Sequence, residues 1–192
     1  MLPNFIIAGP PKSGTTSLQF YLDKHPEIFV SGETHFFCEN YEKGLEWYEK
    51  FFEDVGKEKA IGEKTPHYFF HPAVPQRIKR HIPNVKLIFI FRNPIDRAYS
   101  HYWHNVRKDR ETVSFEEAIK REVKSEAEKD YLRYLEVSKY ILHLKRWNKY
   151  FPKSQMFFLT LEKLSQENLK EILRFLGVNE NFRFGELKKY NI

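Results

Sequence analysis

The hydrophobic pattern changes period along the chain in a regular way. Five short segments, 4–8, 28–31, 60–62, 85–92 and 155–161, are apolar throughout or nearly so and read as strands. "VKLIFIFR" at 85–92 and "QMFFLTL" at 155–161 are so continuously apolar that both faces must be covered. Between the strands, apolar residues recur every three or four positions. That spacing predicts helices over 14–24, 42–53, 72–81, from Pro94 onward through "IDRAYSHYWHNVRK", and over 114–128, 131–150 and 165–176. Pro94 suits a first helical turn, Ser114 with Glu117 forms a capping box, and Gly177 marks a helix end. Trp47, Tyr48, Phe51 and Phe52 keep helical spacing and are expected in the core. Short strands alternating with helices imply an α/β fold, a mostly parallel central sheet flanked by helices. In such sheets ligands bind beyond the carboxyl ends of the strands. The loop after Ala8, the segment after Ile61 and the loop after Phe91 therefore belong on one edge.

Composition narrows the class. The 192 residues show no repeat, no low-complexity run and no Pro- or Gly/Ser-rich linker, so residues 1–192 are expected to form one domain. No apolar stretch approaches the roughly 18 to 20 residues that span a bilayer, and a strand begins too early to leave room for a signal peptide. With Cys38 as the single cysteine, an intrachain disulfide is impossible. These features set the expectation of a cytoplasmic protein. The net charge of +6, from 32 basic and 26 acidic side chains, suits an anionic cofactor or acceptor. It is too evenly spread for a nucleic-acid binder, and no zinc-finger, RNP-type or basic-zipper pattern appears.

The candidate chemistry starts in "FIIAGPPKSGTTSLQFYL", residues 5–22. Strand, glycine-rich turn and helix are the setting of a phosphate cradle. Gly9 and Gly14 keep the spacing of the nucleotide-binding pattern G-x-x-x-x-G-K-[ST], but Thr15 stands where its lysine belongs, and the lysine of the loop is Lys12. Backbone N–H groups from Gly14 to Ser17 and the hydroxyls of Ser13, Thr15, Thr16 and Ser17 offer donors to a phosphate group. A metal-dependent nucleotide site would place a carboxylate at the end of the neighbouring strand; here that strand ends in Arg92. The loop thus fits one phosphate plus a positive charge, with no metal expected. In "FRNPIDRAYSHY", Arg92 and Ser100, eight positions apart, offer a guanidinium and a hydroxyl for a second phosphate.

Together, "PPKSGTTSL" and "RNPIDRAYSHY" resemble the sulfotransferases that use 3′-phosphoadenosine 5′-phosphosulfate. "ETHFF", "NYEKGLEWY" and "GEKTPHYF" resemble the glycan-modifying branch, the heparan sulfate sulfotransferase-like domains, and the likeness runs from Phe5 to Gly177. It implies a P-loop NTPase-like three-layer fold and a small-molecule or glycan acceptor. It also implies that the first loop holds the 5′-phosphosulfate, while Arg92 and Ser100 hold the 3′-phosphate. Lys12 then stabilises the departing phosphate, Glu33 is the general base, and His35 and Lys64 position acceptor and sulfonate. The product would be 3′,5′-ADP. Read without the resemblance, Glu33 is a surface acid, His35 a packed histidine and Lys64 a solvent lysine in a loop.

The sequence departs from the branch at Thr16 and Cys38, where members acting on the glucosamine 3-hydroxyl carry arginine and aspartate. Family domains also continue past the final helix into a basic loop that closes over the cofactor. Here the chain ends "ELKKYNI", so Lys188 and Lys189 either begin that loop or a partner supplies it. Two rival functions are a metal-dependent P-loop kinase and a non-catalytic module that holds a nucleotide or glycan.

Overall fold

The computed structural model describes residues 1–125 and 132–187. Five strands, β1 (Phe5–Ile7), β2 (Ile28–Ser31), β3 (Ala60–Lys64), β4 (Lys86–Phe91) and β5 (Met156–Thr160), form one sheet of order β2-β3-β1-β4-β5. Every neighbouring pair is parallel. Burial on both faces explains the unbroken apolar runs: Phe5, Ile7, Ile88 and Ile90 enter one core, and Ile6, Ala8, Leu87 and Phe89 enter the other. The first core is covered by α1 (Thr15–Leu22) and α8 (Gln166–Leu176). The second packs on α3 (Val74–His81), α7 (Tyr140–Trp147) and an aromatic cluster around Phe36, Tyr48 and Tyr68. The helix α4 (Pro94–Val106) forms a smaller apolar group with α5 (Phe115–Val123) and α6 (Tyr134–Ser138). These are the three layers expected from the sequence, with the sheet parallel throughout.

The end signals act as read. The Asn93 side chain accepts from the backbone N–H groups of Ile95 and Asp96 ahead of Pro94, Ser114 Oγ accepts from Glu117, and Gly177 closes α8 at φ 84°. Four expectations need correction. The helix over 42–53 is broken by Gly44 at φ 79° into a 3₁₀ turn (Tyr41–Lys43), the short helix α2 (Leu45–Glu49) and another 3₁₀ turn (Lys50–Phe52). As a result Tyr48 and Phe52 reach the core, whereas Trp47 is half-buried and Phe51 exposed. The helix over 131–150 is divided at Lys139, whose ψ of 61° is not helical, while the Ser138 hydroxyl bonds to the Tyr134 carbonyl. The third strand runs to Lys64 rather than stopping at 62. The helix over 114–128 ends early, at Val123, with Ser125 turned to φ 62°, and the one over 131–150 begins at Tyr134; positions 126–128 and 131 lie outside the described residues, as do Lys188 and Lys189.

Two glycines let the sheet close up beneath its upper edge. A Cβ on Gly9 would stand 2.6 Å from the Ile90 carbonyl oxygen, so the loop leaving β1 presses on the β4 backbone. Gly62 pairs with Phe5 across β3 and β1, and the Phe5 ring fills its missing side-chain space at 2.4 Å from an added Cβ.

Candidate active site

All five strands direct their carboxyl ends toward one cleft of about 560 Å³. The loop after β1 supplies Pro11, Lys12 and Gly14, and the first turn of α1 supplies Thr15, Thr16 and Ser17. Gly14 caps that helix at φ 93°, with Leu161 packed where a Cβ would stand. No acidic side chain occupies the first turn, so the open N–H groups and helix dipole favour an anion. Lys12 is itself held at φ 66°. Non-glycine residues in this left-handed region concentrate at functional sites. Burial, Arg107 and Arg92 all press the Lys12 ammonium toward losing its proton, so the cleft has positive charge awaiting a counter-ion. Ser13 Oγ is buried and has no well-aligned hydrogen-bond partner among the described residues, although Tyr140 lies close enough to influence it.

Glu33 enters the cleft from the segment after β2. Its Oε1 accepts from Lys64 Nζ at 2.7 Å and its Oε2 lies 3.3 Å from His35 Nε2. Burial works to raise the Glu33 pKa, but hydrogen bonds from His35 and Lys64 outweigh it and hold the carboxylate at about 2. His35 is pushed up to about 10 by its contact with Cys38, then by the Glu33 hydrogen bond, against the effect of burial. Its backbone also sits at φ 53°. Lys64 is not a solvent lysine in a loop: it ends β3 and is 6% exposed, which leaves its ammonium committed to Glu33. Cys38 lies beside His35 Nδ1 at 3.7 Å and is buried.

Arg92 lines the cleft at the end of β4. Ser100 is half-buried on α4 and is not among the cleft-lining residues. The structure therefore brings Lys12, Gly14, Thr15, Thr16, Ser17, Glu33 and Arg92 to one surface, with Lys64 and His35 behind Glu33.

Several further residues belong to the site. Leu161 and Glu162 follow β5, and the Glu162 carboxylate accepts from the Asn93 N–H at 2.8 Å, fixing the loop after β4. The strand-end rule applied to 155–161 would have found them. Arg97 is fully buried on α4 and donates to the Pro11 carbonyl at 3.3 Å, to Ser138 and to the Tyr134 carbonyl. His101 lines the cleft, and its Nδ1 lies 3.3 Å from Arg97. Burial and the Arg97 charge keep His101 neutral, so Arg97 donates to Nδ1 and the ring carries its proton on Nε2. His104, Arg107 and Arg110 extend the basic lining. The stretch "HYWHNVRKDR" is thus both a partly buried helix and one wall of the groove.

The sulfotransferase domain profile matches residues 2–190. The chain belongs to the sulfotransferase family. It is 33% identical to mouse heparan sulfate glucosamine 3-O-sulfotransferase 3B1, over 98% of this chain and 51% of the mouse protein. It is 32% identical to human bifunctional heparan sulfate N-deacetylase/N-sulfotransferase 3, over 96% of this chain and 23% of the human protein. The chain thus spans about half, or less, of the length of these curated relatives. Among solved structures, a sulfotransferase from Alicyclobacillus acidocaldarius superposes with a TM-score of 0.88 at 30% identity, covering 97% of this chain and 86% of that one. A mouse sulfotransferase complexed with PAP shares the fold, with a TM-score of 0.64 at 20% identity over 92% of this chain and 59% of that one. The architecture is the P-loop NTPase-like fold of these sulfotransferases.

Proposed function

We propose that this sulfotransferase domain moves a sulfonate group from 3′-phosphoadenosine 5′-phosphosulfate to a hydroxyl or amine on a glycan. The observation that carries this reading is the juxtaposition in one cleft of a phosphate loop, whose lysine lies inside the loop, and the Glu33–Lys64–His35 group. The residues fit the donor: Gly9 and Gly14 leave the backbone room to approach a phosphate, and the α1 N-terminus presents its first-turn N–H groups to the cleft with no side-chain cap. Arg92 supplies a guanidinium for the 3′-phosphate from the cleft wall, and Ser100, half-buried on α4 outside that lining, is its partner only by the family resemblance. The donor supplies an activated sulfonate on a good phosphate leaving group.

In this reading Glu33 takes the proton of the attacking hydroxyl or amine. At about 2, the carboxylate is fully ionised at neutral pH yet a weak base. It strengthens once Lys64 and His35 turn from Glu33 toward the sulfonate and the acceptor, because the hydrogen bonds that depress it are then lost. Lys12 stabilises negative charge on the departing phosphate, the role that metal and lysine share in nucleotide kinases. The basic wall of Arg107 and Arg110 suits an anionic glycan, in keeping with the heparan sulfate named for the relatives.

Calorimetric titration with 3′,5′-ADP, with and without Mg²⁺ and EDTA, tests the donor site. Tight binding that ignores the metal, requires the 3′-phosphate and weakens in Arg92→Ala is expected. Binding of ATP only with Mg²⁺ overturns the reading in favour of a kinase. Mass spectrometry of a desulfated heparan sulfate oligosaccharide incubated with the donor then tests transfer. Nucleotide binding without a sulfonate mass increment identifies a binding module.

A further inference from the structure

We propose that Glu63, a carboxylate outside the cleft, is the positioning residue that holds the turn carrying Glu33 and His35 in its working shape. The proposal rests on the sulfotransfer reading and deepens it. Glu63 is fully buried on β3 and, among the described residues, no cationic group bonds to it. Four hydroxyls surround it instead. Tyr48 and Tyr68 donate to Oε1, at 2.5 and 3.1 Å, and Thr34 and Thr65 donate to Oε2, at 2.5 and 3.0 Å.

A hydroxyl has one proton and two lone pairs. With its proton committed to Glu63, each hydroxyl must present lone pairs elsewhere. Three of the four present them to successive backbone N–H groups of one turn. Thr65 Oγ1 accepts from Thr34 and His35 at 3.2 and 3.4 Å, Thr34 Oγ1 from Phe36 at 3.1 Å, and the Tyr68 phenol from Phe37 at 3.1 Å. Burial raises the Glu63 pKa, while its four hydroxyl donors pull the other way.

With four hydroxyls donating to its two oxygens, Glu63 is placed as an ionised carboxylate, and the direction of all these bonds is set by that one acceptor-only group. The turn needs it, since His35 is held at φ 53° between Glu33 and the buried rings of Phe36 and Phe37. An amide in place of the carboxylate would aim two N–H donors at hydroxyls and force some of them to turn their protons away. Those protons would then face the backbone N–H groups of the turn. Tyr48 differs from the other three in accepting no bond from the turn, which gives an internal control.

Amide hydrogen exchange at Thr34, His35, Phe36 and Phe37 reads the turn directly, without an acceptor. Glu63→Gln is expected to speed exchange there by about tenfold or more, the loss of one buried hydrogen bond in free-energy terms. Its kcat for a desulfated heparan sulfate oligosaccharide should fall by a similar factor, with the Kd for 3′,5′-ADP nearly unchanged. Thr65→Val should behave like Glu63→Gln and Thr65→Ser like wild type. Tyr48→Phe should lower thermal stability while leaving exchange in the turn near the wild-type rate. Wild-type exchange and kcat in both Glu63→Gln and Thr65→Val would overturn the proposal. So would equal effects from Tyr48→Phe, which would reduce the network to general packing. Should Glu63→Gln fail to fold, the Thr65 pair decides. If wild type transfers no sulfonate, the functional reading fails, and the exchange pattern still decides the role of Glu63 in shaping the turn.

Discussion

Lys12 and His35 share an unusual property: each is a non-glycine residue in the left-handed backbone region, Lys12 lining the cleft and His35 bonded behind Glu33. Their strain is held by neighbours, Arg97 gripping the Pro11 carbonyl in one case and the Thr65 hydroxyl receiving two N–H groups in the other. Replacing Lys12 by Met removes the cation and keeps the bulk. Turnover should fall by about 10²–10³, the usual cost of deleting one group that stabilises transition-state charge, and steady-state kinetics beside 3′,5′-ADP titration would separate that from lost affinity. The Glu33–His35 pair also sets a pH dependence. His35 is raised from 6.5 to about 10, so the stability it contributes is complete below pH 6.5 and disappears as the pH climbs through 10. Glu33, lowered from 4.5 to about 2, contributes above pH 4.5 and loses that contribution as the pH falls through 2. Melting temperature followed from pH 6.5 to 10 should decline less steeply in His35→Asn than in wild type. Added salt should flatten both curves, since the two side chains are 22% and 39% exposed.

At the scale of elements, the site depends on where strands stop and how closely they approach. Ending β3 at Lys64 places Glu63 and Lys64 on opposite sides of one strand, one inside the hydroxyl cage and the other against Glu33. The sequence showed the run "AIGEKTP" but not this extension, because glutamate and lysine carry no apolar signal even when buried. The phosphate loop was legible, since glycine spacing and the strand-to-helix junction are local features. Arg97 and Glu63 were not, because their importance lies in partners 86 and 29 positions away in the chain. Gly9→Ala tests the loop as an element. Its methyl would meet the Ile90 backbone rather than a movable side chain, so unfolding in urea should show a loss of about 1–3 kcal/mol. Binding of 3′,5′-ADP should weaken in the same variant.

For the molecule as a whole, a parallel sheet covered on both faces was legible from the alternation of strand and helix patterns, whereas the strand order β2-β3-β1-β4-β5 was not, since pairing between strands distant in the chain leaves no local signal. The broken helices around Gly44 and Lys139 were not, since tertiary contacts override a helical period that continues across both sites. Binding of the proposed nucleotide should stabilise the whole fold. At about a hundredfold excess over Kd, a ligand that binds only the folded chain adds about 2.7 kcal/mol, and calorimetric scans with 3′,5′-ADP should show a matching rise in melting temperature. The deepest constraint on that whole is the absence of a methyl group. Phe5 lies across Gly62 where the strand of the phosphate loop meets the strand of Glu63 and Lys64. A side chain at position 62 would collide with the Phe5 ring and disturb the seam between those two strands, and with it the spacing that the proposed transfer needs. Gly62 thus acts as a gauge block: the distance between the phosphate loop and the Glu33–Lys64 pair is machined into the sheet, one layer below the cleft.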